Sequence, residues 1–127
     1  MIERVFAEDA PKPIGPYNQA IRTEGLVFCS GQVAVDPAVG KLIDGDVAAQ
    51  AKLAMENLGR VLKAAGVTFR NVVKTTIFLV DMNDFATVNP VYGSFFGDVP
   101  PARSTVAVAA LPLGARVEIE AIAIREK

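Results

Sequence analysis

Two charged residues stand in strand-like apolar runs, where charge is costly. Arg103 follows Pro100-Pro101 and opens a run of small and β-branched residues, on the same face as Thr105 and Ala107. A guanidinium presents a planar fork that meets a carboxylate through two parallel hydrogen bonds. Arg103 is therefore a candidate anion binder. A strand-end arginine covering a loop with its aliphatic stem explains the same position and, taken alone, is the commoner case. Glu120 lies within the run Arg116 to Arg125, where side chains alternate between faces. Val117, Ile119, Ala121 and Ala123 point one way; Arg116, Glu118, Glu120, Ile122 and Ile124 point the other. A carboxylate beside two isoleucines needs a partner, hydrogen bonds or a function. A structural ion pair, or a strand end that meets water, accounts for it equally simply.

Other positions carry weaker signals. Tyr17, in a Gly-Pro-Tyr run, could cap a pocket or donate a hydrogen bond, or simply anchor a loop. Ser30-Gly31 ends a strand where backbone could approach a ligand, or where the chain simply turns. Cys29 reads as a buried strand residue, with nothing nearby to activate a thiolate. Asn89 is explained as a helix cap. The chain has no histidine and one cysteine. That excludes a Ser-His or Cys-His nucleophile, an imidazole metal site and a thiolate cluster, so no metal is expected. Any catalysis must use carboxylates, arginine, hydroxyls, backbone groups and water.

Composition bounds the setting. Hydrophobic residues make up 51% of the 127 and charged residues 21%, the balance of a globular chain. Thirteen basic and 14 acidic side chains leave a net charge of −1, which draws the protein neither to nucleic acid nor to an anionic membrane. A lone cysteine suits a reducing compartment. Met1 to Asp9 lacks the apolar stretch of a signal peptide, and no apolar run is long enough to span a bilayer. A cytoplasmic location is expected.

No linker or repeat divides residues 1–127, which read as one domain. Gln19 to Arg22 and Leu26 to Val33 predict strands joined by a hairpin turn at Thr23-Glu24-Gly25. Asp36 to Asp46 reads as loop. Asp46 should cap a helix whose buried stripe is Val47, Ala51, Ala54, Leu58, Val61, Leu62 and Ala65. Lys52, Glu56 and Arg60 have the spacing of surface ion pairs, and Gly66 should end the helix in a left-handed cap. Val72 to Val80 is largely apolar on both faces, as a central strand is. Because proline is tolerated only in a first turn, Pro90 places the second helix from about Asn89 to Phe96. Arg103 to Ala109 and Arg116 to Arg125 complete the strands, with an edge strand near Glu3 to Phe6. The order predicts an α+β fold, a mixed sheet with both helices on one face.

Six runs together resemble the RidA family (YjgF/YER057c/UK114), the reactive intermediate deaminases. They are Ile14-Gly-Pro-Tyr-Asn-Gln-Ala20, Val27-Phe-Cys-Ser-Gly-Gln32, Val73-Lys-Thr-Thr-Ile77, Asp84-Phe-Ala-Thr-Val-Asn89, Pro101-Ala-Arg-Ser-Thr-Val106 and Val117-Glu-Ile-Glu-Ala-Ile-Ala123. Each is weak alone; in this order and over nearly the whole chain they are specific. The resemblance implies a chorismate-mutase-like fold assembled as a homotrimer, with sheets inward, helices outward and active sites between subunits. It implies hydrolysis of enamine and imine intermediates, such as 2-aminoacrylate, to 2-oxo acids and ammonia, with no cofactor. It places the carboxylate-binding arginine on Arg103, the water-positioning glutamate on Glu120 and the pocket tyrosine on Tyr17. It puts Asn89 near the site, and ligand against the main chain at Gly31 and at the N–H of Thr105. Thr105 stands where many members have cysteine, Pro90 is less usual, and the segment Gly97 to Pro101 is shorter than in some members. These departures bear on substrate preference. Two other classes stay open on the same fold: a non-catalytic small-ligand-binding or chaperone-like protein, and a chorismate-mutase-type enzyme, for which one placed arginine is few.

Overall fold

The computed structural model describes residues 1–126. Its main sheet has six strands in the order β1-β2-β3-β8-β6-β7. The ranges are β1 Glu3–Val5, β2 Ala20–Arg22, β3 Leu26–Gln32, β6 Val72–Leu79, β7 Ala102–Ala107 and β8 Val117–Ile124. Only β6 and β7 run parallel. Two helices, α1 Val47–Ala64 and α2 Phe85–Gly93, cover one face. Residues pointing towards them form the core: Val27 and Cys29 of β3, Ile77 and Leu79 of β6, and Val117, Ile119, Ala121 and Ala123 of β8. The alternation read from the last strand is the observed one, with Glu118, Glu120, Ile122 and Ile124 on the face the helices leave open.

Helix α1 follows its sequence pattern. Asp46 accepts a hydrogen bond from the Ala49 N–H, and every residue of the expected stripe is buried. Gly66 takes a φ of 85°, and the Val67 and Gly66 N–H groups reach the Leu62 and Lys63 carbonyls. That is the double bond of a glycine-terminated helix. The surface pairs do not form as expected: Arg60 donates instead to the Asn57 side chain at 2.6 Å. Buried Asn57 in turn donates to the Val33 and Val35 carbonyls and ties the end of β3 to the helix.

Two expectations need correction. The segment from Asp36 to Asp46 is not all loop, because β4 (Val35–Asp36) and β5 (Lys41–Leu42) pair as a short hairpin. The Asp36 carboxylate accepts from the Ala38 N–H, and Gly40 supplies the positive φ that closes the turn. The second helix begins at Phe85, four residues before Asn89, so Asn89 is not its cap and Pro90 lies inside it. Pro90 forfeits the bond to the Ala86 carbonyl, at a residue that is itself exposed. Buried Val88 and Tyr92 hold the helix to the sheet, and tertiary packing overrides the proline's preference.

Candidate functional site

The sheet divides the candidate residues between its two faces. Arg103 pairs in register with Thr75 of β6, on the helix side. Its guanidinium carbon lies 5.3 Å from the centre of the Phe85 ring and 5.1 Å from that of Tyr92, both on α2. Cation–π attraction and aromatic packing hold the group there. Among the described residues it has no hydrogen bond to a side chain or backbone group and no carboxylate partner; the ion pairs are Arg22–Glu3, Arg116–Asp84 and Arg125–Glu3. All five donors are thus free for an anion. Asn89 lies one turn after Phe85 and about one before Tyr92, on the same stripe of α2. Thr105 shares the face of Arg103, and its hydroxyl is buried without a hydrogen-bond partner. The Tyr92 phenol hydrogen-bonds to the Thr75 hydroxyl at 2.6 Å. Burial pushes its pKa up, while the Thr75 bond and the Arg103 charge pull it down.

Glu120 sits elsewhere. It pairs with Thr76, the neighbour of Thr75, and so lies on the opposite face from Arg103. Strands β7 and β8 are not adjacent; β6 lies between them. The two residues are therefore not brought together within one chain, although strand alternation alone had left that open. Across from Glu120 the ladder slips. Cys29 pairs with Ala121 and Gln32 with Ile119, so Ser30 and Gly31 together face the single Glu120. This is a β-bulge, a device that bends a strand and re-aims its groups.

The bulge opens onto a cavity of about 860 Å³, whose lining includes Tyr17, Ser30, Gly31, Gln32, Val35 and Glu118. Tyr17 is half exposed and accepts weakly, at 3.4 Å, from the Ile14 N–H. The Ser30 hydroxyl is engaged by the Asn18 carbonyl at 2.6 Å, which leaves Ser30 a loop-fixing role. Gly31 lies directly against the Glu118 carboxylate, and any Cβ there would overlap it. Burial, and then the charge of Glu120, push the Glu118 pKa up. Cys29 is buried, and desolvation drives its thiol to about 12, so it is inert as a nucleophile. Among the described residues no group of three or more His, Cys, Asp or Glu could hold a metal ion.

Neither Glu118 nor the Phe85–Tyr92 plates stand out from the sequence alone. Glu118 was visible as the only other carboxylate on the face of Glu120. Phe85 was hidden by the late helix start, since the i, i+7 relation to Tyr92 exists only if both lie on one helix.

A sequence model of the family described as Endoribonuclease L-PSP matches residues 7–125. Proteins named 2-iminobutanoate/2-iminopropanoate deaminase are similar throughout. The mouse protein is 55% identical over 116 residues, covering 91% of this chain and 86% of its own. The human one is 51% identical over 126 residues, covering 98% and 92%. Among solved structures, the YjgF gene product of E. coli superposes with a TM-score of 0.92 at 44% identity, over 98% of this chain and 99% of that one. E. coli TdcF with bound serine superposes at 0.93 and 42%, with the same coverage. With sequence and fold agreeing over nearly its whole length, the chain belongs to the YjgF/RidA family.

Proposed function

We propose that this chain is a 2-iminobutanoate/2-iminopropanoate deaminase, which hydrolyses reactive imines derived from amino acids to 2-oxo acids and ammonia. The observation that carries the reading is the free guanidinium of Arg103, flanked by two rings and opposed by no acid. Such a group binds a carboxylate through two charge-assisted bonds and fixes the adjacent C=N carbon in place. The similar mouse and human proteins bear the name of this activity.

In the proposed reaction an enamine such as 2-aminoacrylate tautomerises to its imine. Glu120 orients a water and accepts its proton as the oxygen attacks the C=N carbon, and the nitrogen takes up a proton. The resulting carbinolamine expels ammonia and leaves the 2-oxo acid. Tyr17, Asn89, Gly31 and the Thr105 N–H shape the pocket around the substrate.

The site is completed between copies of the chain, in a homotrimer. Two observations support this. Arg103 and Glu120 lie on opposite faces of one sheet, so a substrate held by both needs a second chain. The sheet's open face also exposes Leu26, Phe28, Val73, Val106 and Ile124, an apolar surface that calls for a cover. Sedimentation tests the assembly, and a monomer at working concentration would remove the shared site. The reaction is tested by generating 2-aminoacrylate in situ with a dehydratase and following its decay. Clearance by Arg103→Ala as fast as by the unmutated protein would overturn the mechanism. A protein that binds 2-oxo acids without speeding that decay would be a ligand-binding member instead.

A further inference from the structure

We infer that the hydroxyl pair of Thr75 and Tyr92 is a positioning device for Arg103, setting the angle at which its guanidinium meets substrate. The inference rests on the reading of Arg103 as the carboxylate binder. On the helix-facing side of β6, Thr75 is the polar exception among Val72, Ile77 and Leu79. It is 1% exposed, and Tyr92 is 4% exposed. Thr75 is also the residue paired in register with Arg103. One β6 position therefore touches both partners, Arg103 through the ladder and Tyr92 through the 2.6 Å hydroxyl bond.

A valine and a phenylalanine would bury the same volume with no polar atoms to satisfy. The hydroxyl pair adds direction instead. It pins the far end of the Tyr92 ring, whose centre lies 5.1 Å from the guanidinium carbon. Phe96 packs against the same ring at 4.9 Å, so the ring is braced by a second aromatic as well. Phe85, the other plate, is partly exposed and has no such anchor. Because no acid orients Arg103, the ring that flanks it is what fixes its fork. A carboxylate partner would fix it too, but would occupy the donors that the substrate needs.

The test is calorimetric titration with 2-oxobutanoate, together with thermal unfolding, on the unmutated protein and on Arg103→Ala, Tyr92→Phe, Thr75→Val and Thr75→Ser. Tyr92→Phe keeps the ring and removes only the anchor. Tyr92→Phe and Thr75→Val should each weaken binding roughly threefold to tenfold, the worth of one hydrogen bond. A double variant carrying both Tyr92→Phe and Thr75→Val, titrated alongside, should bind no more weakly than the poorer single one, because both changes remove the same bond. Thr75→Ser keeps the hydroxyl and should bind within about twofold of the unmutated protein. Should Thr75→Val fail to fold, Tyr92→Phe and Thr75→Ser carry the comparison. If Tyr92→Phe and Thr75→Val melt earlier yet bind as before, while Arg103→Ala loses binding, the pair is merely structural and the inference falls. If Arg103→Ala binds as well as the unmutated protein, the reading beneath it falls first.

Discussion

The two halves of the candidate site solve opposite problems. On the helix side of the sheet a cation is held by aromatic rings, with its hydrogen-bonding edge left open. On the other side two carboxylates, Glu118 and Glu120, stand on alternate residues of β8 beside a bulge, with glycine making room. Rings attract a cation without competing for its donors, so the first half is poised to bind. Burial, and then the charge of Glu120, raise the proton affinity of Glu118, so the second half is poised to hold a proton. Neither half holds both functions, and within one chain the sheet separates them.

That division is broken most severely at Arg103. Arg103→Ala should lower kcat/KM for 2-aminoacrylate clearance by about 10²- to 10⁴-fold, the loss of two charge-assisted hydrogen bonds. Arg103→Lys should recover only part of it, because an ammonium offers a point charge and no planar fork. Affinity for 2-oxobutanoate should fall in parallel. An unchanged affinity with lost turnover would move Arg103 from the binding half to the chemical one.

Glu120→Gln is the complementary cut. The amide keeps the shape but cannot take a proton, so kcat should fall about 10²- to 10³-fold. Binding of 2-oxobutanoate should stay within about twofold. A single-turnover measurement beside the titration separates the two effects. Equal losses in both would show that binding and chemistry are not divided between the faces.

The sequence carried most of the frame and only part of this division. The long strands of the main sheet and α1 were legible because their patterns are regular, with alternation on β8, a full stripe on α1 and Gly66 past its end, whereas the two-residue strands β4 and β5 carry no such pattern. The start of α2 was not, because packing of Phe85, Val88 and Tyr92 outweighs a local signal at Pro90. Arg103 and Glu120 were each visible as charges out of place. Their separation was not, since it depends on β6 entering between β7 and β8, and strand order is set by long-range pairing that no local pattern encodes. The bulge at Ser30-Gly31 was legible only as a glycine near a strand end.

Gly31→Ala should have a moderate effect on stability. The new Cβ would overlap the Glu118 carboxylate, which must swing into the cavity. A forced rotamer change and local overpacking cost about 1–2 kcal/mol. For a chain of 127 residues that lowers the melting temperature by roughly 3–5 °C per kcal/mol. Calorimetric unfolding would read it.

The smallest expected effect is a pH dependence. The pKa of Glu118 is raised in the folded chain, first by burial and then by the charge of Glu120. The folded state therefore holds the proton more tightly than the unfolded one does. Stability from this group is fully present below the ordinary carboxylate range and is lost as pH rises through the raised value. Glu118 is only half-buried, so solvent screens the effect and the slope should be shallow. Glu118→Gln should remove that slope and leave a chain whose melting temperature at neutral pH is unchanged or higher. Glu120→Gln should narrow the same window by removing one of the two causes while leaving burial. Melting curves at closely spaced pH values, on all three proteins, would show it. A steeper fall in stability towards acid pH in the unmutated chain than in Glu118→Gln would mean that the carboxylate is favoured in its charged form, and that the acidic half holds no extra proton.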